Sequence, residues 1–460
     1  MSYFLLVDFG STYTKLTAVD LEKQDIIATS KAMTTVETDI TLGYEKALDF
    51  LYKDLGQKIS FEKVIACSSA AGGLKMAAIG LVEELTTEAA KRVCLGAGAK
   101  VELVLSHHIN QQEVKRIADK NIDIILLAGG ADGGNSECVI HNAAKLAKST
   151  ITAPIVFAGN KDAMDEIDTL LKDAGKEYYL CENVMPKLNQ LNTESAREKI
   201  KDIFVRNIIE AKGIKKVEIL IDQVVLPTPH AVLMAAELLS KGYGDENGLG
   251  ELMMVDVGGA TTDVYSLSYG LPTQMNAVMT GLEEPYAKRT VEGDLGMRYS
   301  ALGVLQSMTV KDLESYKAQG YHMEKELQMR HEVIDWLPVT QDDLDKEDII
   351  AGHCVSRAVS RHVGNIKQIY TPLGMMLHQT GKDLTNIEYF IGTGGVIIHS
   401  ENPKNILVHA LKNKDFPMEL RPNQPKFLLD HDYILSAMGL LSMTYPKIAL
   451  AIMKKRMIHL

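Results

Sequence analysis

An aspartate at the end of an apolar strand, followed by glycine and a run of small or hydroxyl residues, occurs twice in this chain. The first copy is DFGSTYTK, Asp8 to Lys15, and the second is DVGGATTD, Asp256 to Asp263. The flanking residues, Tyr3–Val19 and Leu252–Leu267, read as β-hairpins, with an apolar strand into each turn and a return strand out of it. Glycine lets the backbone approach an anion and adopt positive φ. Consecutive N–H groups and Ser or Thr hydroxyls then cradle phosphate oxygens. An aspartate at the strand end can hold a hydrated Mg²⁺, which keeps most of its waters. One such hairpin reads equally well as a tight turn with a capping Asp. Two of them, each heading an α/β unit, point to phosphate binding.

A third strand–turn junction is FIGTGGVI, where Gly392, Gly394 and Gly395 follow an apolar strand. Such a turn can lie flat against an adenine ring and ribose, although alone it is only another junction. Between the two hairpins, from about Lys75 to Ala211, strands and helices alternate. Strands are expected at Val101–Leu105, Ile122–Leu127, Pro154–Ala158 and Glu177–Leu180. Helices are expected at Gln111–Lys120, Ser136–Lys148 and Lys161–Ala174. This βαβ pattern implies a parallel sheet covered by helices. The loop LLAGGADGGN, with Gly129 to Gly134, follows one of these strands and precedes a helix. It suits a ligand at a helix N-terminus, a tight βα turn or a partner-facing surface. It has no dinucleotide spacing and no P-loop lysine. Further strands are expected at Val217–Ile221 and Tyr389–Gly392, and helical or loop-rich structure over Val310–Asp348.

Composition narrows the function classes. With 46% apolar and 24% charged residues, the 460-residue chain reads as a globular protein of several domains. A net charge of -11 without any long Lys/Arg run argues against a nucleic-acid partner. Cys67, Cys94, Cys138, Cys181 and Cys354 lie far apart, so reduced thiols are expected in preference to disulfides, zinc or an iron–sulfur cluster. No apolar run reaches the roughly 18 residues of a membrane span, and Ser2–Val7 enters a strand without a signal peptide. A cytoplasmic location is expected. The basic C-terminal segment Pro446–Leu460 reads as a helix packed on its own domain.

The order of phosphate hairpin, second hairpin and glycine turn resembles the actin, sugar-kinase and heat-shock-chaperone superfamily. Leu226–Ser240, opened by proline and containing Ala231, Ala235 and Ala236, resembles its first interdomain helix. Tyr433–Met443, with Ser436, Ala437 and Gly439, resembles the second. By the same resemblance EGDLGMR, Glu292 to Arg298, is a further nucleotide-contacting loop through Gly293; its own residues read equally as a charged capping turn. The combination of these motifs with SSAAGGLKM and LLAGGADGGN spans nearly the whole chain. It resembles the glutamate-mutase-associated MutL family, also called GlmL, distinct from the mismatch-repair protein of similar name.

The resemblance implies an α/β, two-lobed, actin-like (ribonuclease-H-like) ATPase fold with an inserted βαβ region. The expected divisions are 1–74 for the first lobe, 75–215 for an inserted, partner-docking region, and 216–460 for the second lobe. The implied ligands are ATP and Mg²⁺. Asp8, Gly10, Ser11, Thr12 and Lys15 would serve from the first lobe. Asp256, Gly258, Gly259, Thr261, Thr262, Gly293, Gly392, Gly394 and Gly395 would serve from the second. Asp8, Lys15 and Asp256 are the candidate catalytic residues, and Asp8 and Asp256 the candidate metal ligands. The implied role is reactivation of an adenosylcobalamin-dependent mutase, glutamate mutase or a related aminomutase, by a slow ATPase. A small-molecule kinase and an actin-like assembly protein are the alternatives. One departure stands out. Where chaperone relatives place a water-orienting Glu before the helix-opening proline, this chain has Leu226, with Asp222 and Gln223 the nearby polar residues.

Overall fold

A five-stranded sheet is built on the first hairpin. The computed structural model describes every residue except Met1, Ser11, 36–38, 69–73, 212–222 and Leu373, and omits the side chains of Glu84, 207–211, 223–225 and Thr371. In it β1 (Tyr3–Phe9) and β2 (Tyr13–Asp20) pair antiparallel, and β3 (Asp25–Met33) extends the meander. A helix, Ile40–Leu55, crosses over to β4 (Lys63–Ser68), which lies parallel to β1. Asp39 caps that helix by accepting from the Thr41 N–H, and Gly56 at φ 68 ends it. Its buried residues Ile40, Tyr44, Ala47 and Leu51 fall on one helical face.

A second, wholly parallel sheet follows in the same unit. Its strands are β5 (Lys75–Gly80), β6 (Lys100–Ser106), β7 (Ile124–Leu127), β8 (Ile155–Phe157) and β9 (Tyr178–Leu180), in the order β6-β5-β7-β8-β9. Four of these are the strands legible in the sequence. The fifth, β5, is the strand on which both β6 and β7 pair, although KMAAIG lacks the β-branched run that marks a strand. Helices Gln111–Asp119, Glu137–Ala147 and Met164–Asp173 form where expected.

The chain then returns to the first sheet. β10 (Gln223–Pro227) lies parallel to β4, giving the order β10-β4-β1-β2-β3. Strand pairing therefore carries the first compact unit, Met1–Val232 with Gly281–Glu283 and Gly439–Thr444, past the expected boundary at 216. The strand expected at Val217–Ile221 lies outside the described residues.

The second unit comprises Leu233–Thr280, Glu284–Met438 and Tyr445–Leu460. Its strands are β11 (Gly242–Tyr243), β12 (Glu246–Asn247), β13 (Leu252–Val257), β14 (Thr262–Leu267), β15 (Ala277–Thr280), β16 (Ala287–Glu292), β17 (Asn365–Thr371), β18 (Gly374–Thr380), β19 (Tyr389–Thr393), β20 (Lys426–Leu429) and β21 (Ile458–His459). The main sheet runs β16-β14-β13-β19-β20-β21, and β15-β18-β17 form a smaller one. Between β16 and β17 lie helices Val310–Ala318, Met323–Glu332 and Gln341–His362; Thr309 and Thr340 open the first and third with capping boxes. The C-terminal helix Pro446–Arg456 buries Ala449, Leu450, Ile452 and Met453.

With β21 set aside, the two main sheets share one topology. In each, a hairpin and third strand are antiparallel, and the fourth and fifth strands join parallel on the other side of the first. This repeated ribonuclease-H-like sheet is the actin-like fold, and the parallel sheet β5–β9 is inserted between β4 and β10.

Candidate functional site

The two turns are built alike. In the first, the Gly10 N–H donates to the Tyr13 carbonyl at 3.1 Å; in the second, the Gly258 N–H donates to the Thr261 carbonyl at 2.9 Å. Register then makes Asp8 and Asp256 equivalent. Asp8 faces Lys15 across its hairpin, and Asp256 faces Asp263 across the other. The equivalent return-strand position is thus cationic in one unit and anionic in the other.

Asp8 is buried, at 4% exposure. The Thr228 hydroxyl, at the start of the helix Thr228–Lys241, donates to Asp8 Oδ1 at 2.6 Å. The Cys67 thiol, on the neighbouring strand, lies 3.6 Å from the same oxygen. Burial first, and the Asp8 charge second, push the Cys67 thiol well above its ordinary range, so it stays protonated. Around the turn, the Thr34 hydroxyl donates to the Gly10 carbonyl at 2.9 Å and the Thr34 N–H donates to the Thr12 carbonyl at 2.9 Å. Ser11 lies outside the described residues.

Asp256 accepts from the Tyr433 hydroxyl at 3.1 Å, and Tyr433 precedes the helix Leu435–Ser442 with a left-handed φ of 54. Its hairpin is held from several sides. The Thr261 hydroxyl donates to Asp263, which forms a buried ion pair with Arg289 at 2.6 Å. The buried Thr262 hydroxyl donates to the Leu295 carbonyl at 2.8 Å. The EGDLGMR loop straps the turn: the N–H groups of Met297 and Arg298 donate to the carbonyls of Gly258 and Gly259. Gly293 is tied in through its carbonyl, which accepts from the Ser300 hydroxyl at 2.8 Å.

The third glycine motif meets this hairpin. At Gly394, with φ 99, a Cβ would stand 2.6 Å from Asp256 Oδ1 and 2.5 Å from the Val257 carbonyl oxygen. Only glycine permits that approach. Gly395 is exposed, with nothing within 4 Å of a Cβ. Gly392 packs against Leu407 and Ile397. The second unit thus brings Asp256, Gly258, Gly259, Gly394 and Gly395 onto neighbouring turns, while Thr262 and Gly392 make inward contacts.

A hydrated Mg²⁺ takes only one or two protein carboxylates, so the strand-end Asp8 and Asp256 suit it; Asp263, across from Asp256, is already engaged by Arg289. Among the described residues no cluster of three or more His, Cys, Asp or Glu offers a fuller metal cage. Leu226 is buried at 1% exposure. Asp222 and the Gln223 side chain lie outside the description. In LLAGGADGGN, Asn183 donates to the Gly130 carbonyl and Asp132, and Asn160 donates to the Gly134 carbonyl, so later segments of the chain brace that loop. Sequence reasoning missed Thr228, Tyr433 and Arg289 as groups acting on the site. Thr228 lies in the quoted helix motif and Tyr433 opens another, yet nothing local says which carboxylate they reach. No helix among the described residues is long and apolar enough to cross a membrane.

A sequence profile described as "MutL protein" matches residues 4–457. The chain is 50% identical over its whole length to "Protein MutL" of Clostridium tetanomorphum, itself covered completely. Among solved structures, a diol dehydratase-reactivating factor in nucleotide-free form resembles it at TM-score 0.37 and 11% identity, covering 97% of this chain and 100% of that one. Xylulose kinase from Lactobacillus acidophilus does so at TM-score 0.36 and 10% identity, covering 100% and 93%. These structural likenesses are weak, whereas the sequence matches extend from one end of the chain to the other and take in both hairpins. On those matches, the chain belongs to the MutL protein family.

Proposed function

We propose that this protein is an ATP-dependent reactivating factor for an adenosylcobalamin-dependent mutase, glutamate mutase or a related amino-acid aminomutase. The observation that carries the reading is the repeated hairpin, an aspartate and a glycine turn on the same strand of each repeated sheet, in a chain matched end to end by its family. Each hairpin serves nucleotide phosphates. Asp8 and Asp256 hold hydrated Mg²⁺, which neutralises phosphate charge when bound. Gly258 and Gly259 admit phosphate oxygens, and the Gly394–Gly395 turn meets the adenosine. Lys15 adds positive charge beside Asp8.

Work on a partner follows if ATP and ADP favour different arrangements of the lobes, and if the mutase binds those arrangements with different affinity. A mutase that has lost its adenosyl group traps dead cobalamin, and a conformational cycle imposed from outside can release it. The inserted sheet β5–β9 is the proposed docking region. The test inactivates glutamate mutase and, separately, an aminomutase, then adds this protein with ATP, Mg²⁺ and fresh adenosylcobalamin, omitting each in turn. Recovery should need all three and fail with Asp256→Ala. If neither mutase recovers and neither co-purifies in any nucleotide state, the reactivation role is wrong. Phosphorylated small-molecule product would favour a kinase instead, and ATP-dependent pelleting an assembly protein.

A further inference from the structure

Thr228 opens its helix between Pro227 and Pro229. A threonine at a helix start ordinarily uses its side-chain oxygen to accept from an N–H in the first turn. That use engages the oxygen's lone pairs and leaves its hydrogen to be donated elsewhere. The Thr228 hydroxyl donates to Asp8 Oδ1 at 2.6 Å, a short bond to a buried carboxylate, and lies 3.6 Å from Cys67 Sγ. Thr228, Asp8 and Cys67 all belong to the first unit. The second unit repeats the device: Tyr433, leading into the helix that follows the fifth strand of its sheet, donates to Asp256. A hydroxyl supplied from the same place in each fold repeat, to the equivalent carboxylate, is more than incidental packing.

We propose that Thr228 is a positioning residue for Asp8, holding one carboxylate oxygen so that the side chain is oriented for the hydrated Mg²⁺ of bound ATP. The inference rests on the nucleotide reading above and adds to it a residue that touches neither metal nor phosphate. A side chain held in one rotamer loses less freedom when the metal hydrate binds, so the hydroxyl raises metal-dependent affinity and leaves metal-free nucleotide affinity alone.

The experiment titrates ATP calorimetrically into wild type, Thr228→Val and Thr228→Ser, in EDTA and across a Mg²⁺ series. Thermal melting is recorded in parallel. Loss of a charge-assisted hydrogen bond should raise the Mg²⁺ concentration for half-maximal enhancement of ATP binding by about ten-fold in Thr228→Val. Thr228→Ser, which keeps the hydroxyl, should stay within about two-fold of wild type. Binding in EDTA should be the same in all three. An unchanged Mg²⁺ requirement in Thr228→Val overturns the proposal. So does an equal loss with and without Mg²⁺, or an equal loss in the Val and Ser variants, because each marks a packing role. If Thr228→Val does not fold, a ten-fold shift in Thr228→Ser also overturns it. If wild type itself shows no Mg²⁺-enhanced ATP binding, the nucleotide reading fails, which the variants cannot mimic.

Discussion

Replacing Gly394 by alanine strikes the point where the third glycine motif presses on the second hairpin. At φ 99 and ψ 149 the backbone lies in a region reserved for glycine, and occupying it with an L residue costs about 1–3 kcal/mol. The added Cβ would stand 2.5 Å from the Val257 carbonyl oxygen, 2.6 Å from Asp256 Oδ1 and 2.7 Å from the Val257 nitrogen. Two of those atoms are backbone in a buried strand and cannot swing away, which adds about 1–3 kcal/mol of overpacking. The total is roughly 4 kcal/mol, or roughly 2 M in urea midpoint at a slope of about 2 kcal/mol/M. Trp336, the only tryptophan of the chain, lies in the second unit, so its fluorescence reports unfolding where the strain is placed. Part of the strain can be relieved by rotating Asp256, so Mg²⁺-dependent ATP binding should weaken as well. Gly395→Ala is the control: its Cβ meets nothing within 4 Å, and its stability should stay within about 0.5 kcal/mol of wild type. A Gly394→Ala protein with an unchanged midpoint and unchanged ATP binding would refute the contact and the coupling drawn from it.

Asp8→Ala and Asp256→Ala should each weaken Mg²⁺-dependent ATP binding from its expected micromolar range, about 8 kcal/mol; unchanged calorimetry in both would remove them as metal ligands. If the resemblance to chaperones holds at buried Leu226, which then lacks a water-orienting carboxylate, basal hydrolysis should fall well below a typical enzyme rate of about 10 per second, measured as phosphate release by the isolated protein. His353 is held neutral by burial, its pKa lowered to about 4, and its Nε2 lies 3.0 Å from the Ser307 hydroxyl. The unfolded chain binds that proton near the ordinary histidine value, so stability is intact above it and falls as the pH drops toward 4. The loss should reach about 2 kcal/mol by pH 5. His353→Gln should flatten that part of the urea-midpoint profile between pH 7.5 and 5, and an equally steep profile would assign the acid lability elsewhere.

What was legible in the sequence was local. Strand period and turn chemistry marked both hairpins, four strands of the inserted sheet and the glycine turn at Gly392–Gly395, because alternation and glycine placement act within a few residues. Composition alone left β5 unread, since its alanines favour no strand, yet as the partner of both β6 and β7 it joins the edge strand to the rest of the inserted sheet. Only the tertiary structure decided that β10 closes the first sheet instead of opening the second unit. That choice depends on pairing with β4, which stands far away in the chain. The same holds for the site. The sequence by itself named Asp8 and Asp256 and the glycines beside them. Which hydroxyl reaches each carboxylate, that Thr262 turns inward to Leu295, and that the EGDLGMR loop straps the turn through its backbone were settled only by the folded chain. A hydrogen bond is specified to tenths of an ångström between residues separated by many turns of chain, and no local pattern carries that distance.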